Sequence, residues 1–161
     1  MTPIESVKQM WTDYHLLIGL SAPKEPLADA FCDNEKDANE LAVLVNRGIK
    51  RATAGALWSY QKANRKLSEV GEIFVVKDWP GRAVCIVKTV KVSIIPFNQI
   101  TEEHAYIEGE GDRSLAYWRR VHIQFFNNEF RDLDLTFDES MPIVFEEFVR
   151  VFPKLAGPSD L

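Results

Sequence analysis

Three carboxylates lie within five residues of this chain, in the segment Glu108-Gly109-Glu110-Gly111-Asp112, hereafter the EGEGD loop. Like charges at this spacing repel one another, so the folded chain needs a helix N-terminus, a cation or a basic side chain beside them. Carboxylates held in this way can accept hydrogen bonds from a ligand or carry protons in a reaction. The loop is therefore a candidate functional site, with Glu108 and Glu110 as candidate catalytic residues.

A second segment supplies cations. In Gly48-Ile49-Lys50-Arg51-Ala52-Thr53, Lys50 and Thr53 stand three residues apart after a glycine. If the turn is helical, both side chains face one way, and a lysine beside a hydroxyl can hold an anion or activate the hydroxyl. We expect this turn and the EGEGD loop to form two walls of one cleft, with Lys50 within reach of Glu108 or Glu110.

The residues that follow the loop extend the candidate site, and each has a structural alternative. Asp112 is expected to cap the next helix or to contact a ligand, and Arg113 suits either an anion contact or the helix surface. Trp118 and His122 fall on the apolar side of that helix, where they line the cleft or belong to the core. Lys50 has its own alternative, a structural ion pair that only holds the acidic loop.

Two other kinds of chemistry find less support. Carboxylates around glycines can supply oxygen ligands to a divalent ion, but the spacing of a calcium loop is absent, so we predict no metal site. The cysteines Cys32 and Cys85 are far apart and belong to no metal-binding cluster, so we expect reduced thiols.

The composition fits one globular domain. The 161 residues are 46% hydrophobic and 11% aromatic, enough for a core. No apolar run approaches the roughly 18 residues that a membrane helix needs, and the start lacks a signal-peptide pattern. We therefore expect a cytoplasmic protein with no membrane partner.

The charge distribution is uneven. A net charge of −5 argues against strong non-specific binding of nucleic acid, and no pattern specific for DNA is present. From Arg47 to Lys66, however, the chain carries six basic residues and no acidic one. Trp58 and Tyr60 lie within this stretch, and aromatic rings among cations suit a surface that stacks bases and binds phosphates.

Hydrophobic periodicity predicts the elements that position these residues. We expect helices over about 2–19 and about 33–48, a short helix capped by Thr53, a short helix over about 101–106, and a helix capped by Asp112. Strands are expected over 72–77, 82–95, 133–137 and 143–152, with a frayed tail at 153–161. This order predicts an α+β fold with a mainly antiparallel, curved sheet.

The two motifs resemble those of the ASCH domain family. Gly48-x-Lys50-x-x-Thr53 resembles the GxKxxT signature of that family, and residues 108–118, EGEGDRSLxxW, followed by His122, resemble a block found in one of its branches. The similarity extends over roughly residues 27–152. One departure is Phe31-Cys32-Asp33, where related sequences often have Phe-Gly-Asp.

The resemblance implies a PUA-like fold, with a mainly antiparallel curved β-barrel, peripheral helices and a cleft between barrel and helices. We therefore expect a single ASCH domain over residues 1–161. An N-terminal helix of about 2–19 would pack on this domain, and a short tail over 153–161 would end it.

The resemblance also implies a function, which is the binding of RNA or of a nucleotide or modified nucleoside. Lys50 and Arg51 would meet phosphate, and the EGEGD loop would accept hydrogen bonds from a base or ribose. The further ligand-binding candidates are Asp112, Arg113, Trp118 and His122. Removing Lys50 is expected to change stability modestly, because an open cleft lets water solvate the loop.

The family offers enzymatic alternatives. In an amidohydrolase acting on N4-acylated cytidine, Lys50 and Thr53 would act with Glu108 or Glu110. A metal-dependent ribonuclease is the other possibility, and it alone would need a divalent metal; no other cofactor is expected. A purely structural domain would instead bond Lys50 inside the protein. The oligomeric state and the natural ligand stay open.

Overall fold

The structure is a computed structural model that describes residues 1–23 and 25–154. It is an α+β fold. The helices are α1 (Pro3–Leu17), α2 (Glu35–Asn46), α3 (Leu57–Lys62), α4 (Glu102–Glu108) and α5 (Leu115–Leu133), with a short 3-10 turn at Phe97–Gln99. The strands are β1 (Ala28–Asp29), β2 (Ala52–Ala56), β3 (Ile73–Lys77), β4 (Ala83–Pro96) and β5 (Pro142–Phe152).

The five strands form one sheet in the order β1-β3-β4-β5-β2. β1 runs parallel to β3, whereas β3 pairs antiparallel with β4 and β2 pairs antiparallel with β5. Within the described residues the sheet is mixed and open, not the closed antiparallel barrel that we expected. Its edges are β1, which has only two residues, and β2, which has five.

Backbone contacts divide the chain into two compact units. The first contains Met1–Gly48, Gly71–Lys88 and the chain from Val149. Its core joins the buried face of α1 to the sheet through the buried side chains of Val7, Trp11, Tyr14, Val75 and Ile86. The predicted start of α1 is confirmed, because Thr2 and Glu5 form a reciprocal capping box.

The second unit contains Ile49–Val70 and Thr89–Phe148, and it holds both motifs from Lys50 onward. Helix α5 buries Trp118, His122, Phe126 and Phe130, which recur every four residues along one face. They pack with buried residues of β2, α4 and β5, among them Ala52, Ala56, Ala105, Ile143 and Phe145. The side chains of the candidate site therefore start from a rigid core.

Two predicted elements are wrong. Thr53 caps no helix; it lies in β2, because Ala52–Ala56 pairs with β5, and α3 starts only at Leu57. Residues 134–138 form no strand, since α5 continues to Leu133 and ends at Asp134 with a left-handed φ of 53°. The alternation at 133–137 instead reflects a loop in which Leu135 and Phe137 pack on the core.

The Phe31-Cys32-Asp33 departure has a backbone explanation. Cys32 has a φ of 68°, in the left-handed region that glycine adopts without strain. The chain thus keeps a glycine-like conformation there with a cysteine side chain. The predicted tail lies outside the described residues from residue 155 onward.

Candidate functional site

The segment around Lys50 is held in place by backbone hydrogen bonds to two other elements. The Arg51 amide donates to the Ile107 carbonyl of α4 at 3.0 Å, and the Phe148 amide of β5 donates to the Arg51 carbonyl at 2.9 Å. The GxKxxT segment is thereby fixed against the helix that leads into the EGEGD loop. The expected proximity of the two motifs follows from these bonds.

Lys50 reaches the acidic loop, as predicted. Its Nζ lies 2.6 Å from Glu110 Oε1 and 3.6 Å from Glu108 Oε1. It also donates a 2.8 Å hydrogen bond to the carbonyl of Ala52. Lys50 is only 1% exposed, so its ammonium is enclosed rather than presented in an open cleft.

Glu108 is enclosed with it, and helix α5 supplies its other partners. Trp118 Nε1 donates to Glu108 Oε2 at 2.5 Å, and His122 Nε2 lies 3.1 Å from Glu108 Oε1. The rings of Trp118 and His122 are stacked, with centroids 4.0 Å apart. We call Lys50, Glu108, Glu110, Trp118 and His122 the buried charge network.

The hydrogen bonds of His122 define its protonation. Its Nδ1 lies 2.8 Å from the carbonyl oxygen of Trp118, which can only accept, so Nδ1 carries a hydrogen. A neutral ring would then present the lone pair of Nε2 to Glu108. The 3.1 Å contact is favourable only with a proton between the two atoms, and a proton carried by Nε2 makes the pair an imidazolium and a carboxylate.

The electrostatics agree with this assignment. Burial alone would raise the pKa of Glu108, but the charges of His122 and Lys50, with hydrogen bonds from His122 and Trp118, lower the pKa to about 2. Burial opposes charge on His122 too, yet the Glu108 carboxylate raises the pKa of His122. The pKa of Lys50 is raised because Glu110 and Glu108 outweigh its loss of hydration. The positive charges of Lys50 and His122 thus balance the negative charges of Glu108 and Glu110.

Both glycines of the EGEGD loop are closely packed. Gly109 ends α4 with a φ of 76°, and a Cβ there would lie 2.3 Å from the carbonyl oxygen of Ile49. A Cβ on Gly111 would lie 2.3 Å from the ring of Tyr117. The loop can approach the backbone of the GxKxxT segment this closely only because Gly109 carries no side chain, whereas a side chain at position 111 would require the Tyr117 ring to move.

Asp112 and Arg113 lie outside the buried charge network. Asp112 is exposed and is not the helix cap that we predicted: Ser114 caps α5, and Asp112 Oδ1 accepts a hydrogen bond from the Ser114 amide. Arg113 has a left-handed φ of 63°, and its guanidinium carbon lies 5.1 Å from the centroid of the Tyr106 ring.

A divalent ion does not fit between the two glutamates of the loop. The Lys50 ammonium already occupies the place between them, and a second cation there would meet its charge. Within residues 1–23 and 25–154, no group of three or more His, Cys, Asp or Glu side chains is arranged to hold a metal.

Comparisons with known proteins agree with this geometry. The family model of the ASCH domain matches residues 27–152, which is most of the chain. The chain belongs to the ASCH domain family. The comparison with curated proteins finds no match.

Two solved structures are similar over nearly the whole chain. The crystal structure of an ASCH domain from Lactobacillus crispatus JV V101 is 35% identical, covers 91% of this chain and 94% of its own, and superposes with a TM-score of 0.83. That of a protein from Enterococcus faecalis V583 is 28% identical, covers 92% of this chain and 89% of its own, with a TM-score of 0.83. The α+β ASCH fold of this chain is therefore shared with both.

Thr53 of this ASCH domain makes no hydrogen bond to the buried charge network within the described residues. It lies in β2 directly opposite Glu146 of β5, and residues opposite each other share one face of a sheet. No hydrogen bond of the Thr53 side chain is found within the described part of the chain. The helical turn that would have aligned Thr53 with Lys50 is a strand instead.

Sequence reasoning missed the polar residues around Thr53. Glu146 is 6% exposed, and one of its oxygens accepts a 2.7 Å hydrogen bond from the hydroxyl of Thr89, which is 1% exposed. The available signal was two adjacent glutamates interrupting the apolar run of β5.

No described helix of this ASCH domain is long and apolar enough to cross a membrane.

Proposed function

We propose that this ASCH domain binds RNA or a nucleotide-type ligand, including modified nucleosides, at the outer surface of the EGEGD loop. The observation that carries the proposal is the 2.6 Å contact between Lys50 and Glu110. It fixes one oxygen of a carboxylate whose side chain is 19% exposed, against 2% for Glu108. Glu110 is thus the carboxylate of the buried charge network that a ligand can reach.

The roles of the two loop glutamates then differ. Glu108 is bonded on both oxygens and serves to hold Lys50, Trp118 and His122. Glu110 is oriented by Lys50 and accepts hydrogen bonds from an amino group of a base or from ribose hydroxyls. Arranging a carboxylate before the ligand arrives reduces the entropy lost on binding.

The phosphate contacts fall to the exposed Arg51 and the partly buried Arg113 rather than to Lys50. Arg51 follows Lys50 directly and is exposed, and the Arg113 amide donates to the carbonyl of Glu110, which places Arg113 at the same loop. Arginine binds phosphate through several hydrogen bonds in a planar geometry. Lys50 is the buried counterion that maintains the conformation of the loop.

The assignment of this ASCH domain to the PUA-like superfamily is also part of this proposal.

A thermal-shift screen of modified nucleosides, followed by a salt titration of single-stranded RNA binding, tests the proposal. A ligand at 100 times its dissociation constant stabilises the protein by about 2.7 kcal/mol. Glu110→Gln should abolish that stabilisation, whereas Glu103→Gln, the same change at an exposed glutamate of α4 outside the loop, should retain it. Equal stabilisation of both variants and the unaltered chain would remove Glu110 from the site.

A second candidate is an amidohydrolase of N4-acylated cytidine, and it is favoured by the Thr53 hydroxyl, which has no hydrogen bond to the described residues. The Thr53 oxygen would attack the acyl carbon, and the cytosine amine would leave with a proton before water releases the acid. Thr53→Ser should keep some turnover of N4-acetylcytidine and Thr53→Ala none. An unaltered protein that leaves N4-acetylcytidine intact would exclude this function.

A further inference from the structure

A groove of about 460 Å³ lies on the second unit, and no residue of the EGEGD loop lines it. It is lined by Trp58, Gln61 and Lys62 of α3 and by Leu135 of the loop after α5. This volume lies within the range of small-molecule binding sites. An indole and a leucine form apolar walls, an amide offers a donor and an acceptor, and an ammonium brings positive charge.

The aromatic wall of the groove is fixed in place. The Trp58 ring lies 6.0 Å, centroid to centroid, from the ring of Phe130, which is 1% exposed and part of the core of the second unit. Trp58 itself is only partly buried. A ligand that stacks on this indole therefore meets a surface that loses little rotamer freedom on binding.

Positive charge continues from the groove along the chain. Lys62, Arg65 and Lys66 are all exposed, and no acidic residue occurs between Arg47 and Lys66. The guanidinium carbon of Arg65 lies 4.3 Å from the centroid of the Tyr60 ring, which restrains that side chain. One accessible indole with several cations close by in the sequence is the combination that suits a base and its neighbouring phosphates.

Acidic side chains also occur near the residues that line the groove. Glu129 of α5 is partly buried, and one of its oxygens accepts a 2.7 Å hydrogen bond from Ser59. Asp134, which is exposed, precedes Leu135. Lys62 is the charged residue among the four that line the groove, so we expect a phosphate at Lys62 rather than near Glu129 or Asp134.

We propose that this groove receives an unpaired base of single-stranded RNA. The base stacks on Trp58, Gln61 hydrogen-bonds its edge, and the flanking phosphates contact Lys62, Arg65 and Lys66. The ligand class rests on the proposed function, but the contact surface shares no residue with the EGEGD loop. An acidic peptide would use the cations and leave the slot between Trp58 and Leu135 empty.

Fluorescence anisotropy of labelled decauridylate at several salt concentrations tests the groove. Lys62→Ala should lower the slope of log K against log salt by about 0.7, the value for one phosphate contact on a single strand. Lys88→Ala is the matched control, because Lys88 is an exposed lysine that belongs to the other unit. It should leave the slope unchanged.

Two further variants test the space between Trp58 and Leu135, where the base would stack. Trp58→Leu should weaken binding roughly tenfold through the loss of stacking. Because that change also removes a contact with Phe130, Gln61→Glu serves as an isosteric second variant at an exposed position. It places negative charge beside the phosphate path and should also weaken binding roughly tenfold.

The outcomes separate this inference from the proposed function. Decauridylate binding that falls in Glu110→Gln but is unchanged in Lys62→Ala and Gln61→Glu overturns the groove and leaves the proposed function intact. Decaglutamate competing as well as unlabelled decauridylate also overturns it, since charge alone would then explain binding. If the unaltered chain binds no RNA at low salt, the groove proposal fails, and nucleoside stabilisation that depends on Glu110 would still support the proposed function.

Discussion

At the scale of single residues, Lys50 has the largest electrostatic role that the described contacts reveal. Its ammonium touches two carboxylates and a backbone carbonyl while only 1% exposed. The expectation that its removal changes stability modestly depended on water reaching the loop. Burial of both Lys50 and Glu108 overturns that premise, because an unpaired charge inside a protein is costly.

Lys50→Met should therefore lower the free energy of unfolding by about 3–5 kcal/mol, the usual cost of removing one partner of a buried ion pair. Urea denaturation at neutral pH measures it. Lys88→Met, at an exposed lysine, should stay within about 0.5 kcal/mol of the unaltered chain. A loss below about 1 kcal/mol in Lys50→Met would show that water does reach the carboxylates.

Trp118 contributes a hydrogen bond as well as a ring. Trp118→Phe keeps an aromatic ring beside His122 but removes the donor to Glu108, which should cost about 1–3 kcal/mol. Trp79→Phe, at an indole that is 46% exposed, is the control and should cost about 0.5 kcal/mol or less. Similar midpoints for the two variants in urea would show that the Glu108 bond contributes little.

At the scale of elements, the EGEGD loop depends on its glycines. Gly109 passes over the backbone of Ile49 and Lys50 at a distance that leaves no room for a methyl group. Gly48 also has a left-handed φ, of 68°, but a Cβ there would meet nothing within 4 Å. The two glycines therefore separate the cost of backbone conformation from the cost of close packing.

Gly48→Ala should cost about 1 kcal/mol, for the left-handed conformation alone. Gly109→Ala should cost a further 1–3 kcal/mol or so, because the backbone of the GxKxxT segment must move. Thermal unfolding of both variants measures the difference. Equal losses would mean that the loop shifts away from Ile49 without cost.

Elements whose sequence carries its own signal were predictable. The capping box of α1 and the four-residue repeat of α5 each predicted a helix that is present. β2 was not predictable in this way, because its five residues, Ala52–Ala56, become a strand only by pairing with β5.

The contacts of the candidate site also differ in whether the sequence could predict them. The contact of Lys50 with the acidic loop followed from charge, since three carboxylates required a cation. The hydrogen bond from Trp118 to Glu108 and the position of Glu146 opposite Thr53 depend on tertiary packing and strand register. Neither leaves a pattern in the local sequence.

At the scale of the whole molecule, the buried charge network makes stability depend on pH in two windows. The pKa of Glu108 is lowered, so its contribution is present above about 4.5 and is lost as pH falls toward about 2. The pKa of His122 is raised, so its contribution is present below 6.5 and is lost as pH rises through its folded pKa. Stability should therefore be greatest between the two windows.

Urea unfolding between pH 3 and pH 9 or so measures this profile. The alkaline decline should disappear in His122→Gln, which has no titrating ring, and the acidic decline should become smaller, because Lys50 and Trp118 alone then lower the pKa of Glu108. An alkaline decline of the same size in His122→Gln would assign it to another group.

Because Trp118 stacks on His122, the charge of the buried charge network should also affect tryptophan fluorescence. A protonated imidazole is an efficient acceptor of an electron from an excited indole, and the two ring centroids are only 4.0 Å apart. The fluorescence of Trp118 should therefore be quenched while His122 is protonated and should increase when His122 loses that proton. In a chain whose other three tryptophans are replaced by phenylalanine, emission would report the charge state of a buried histidine directly.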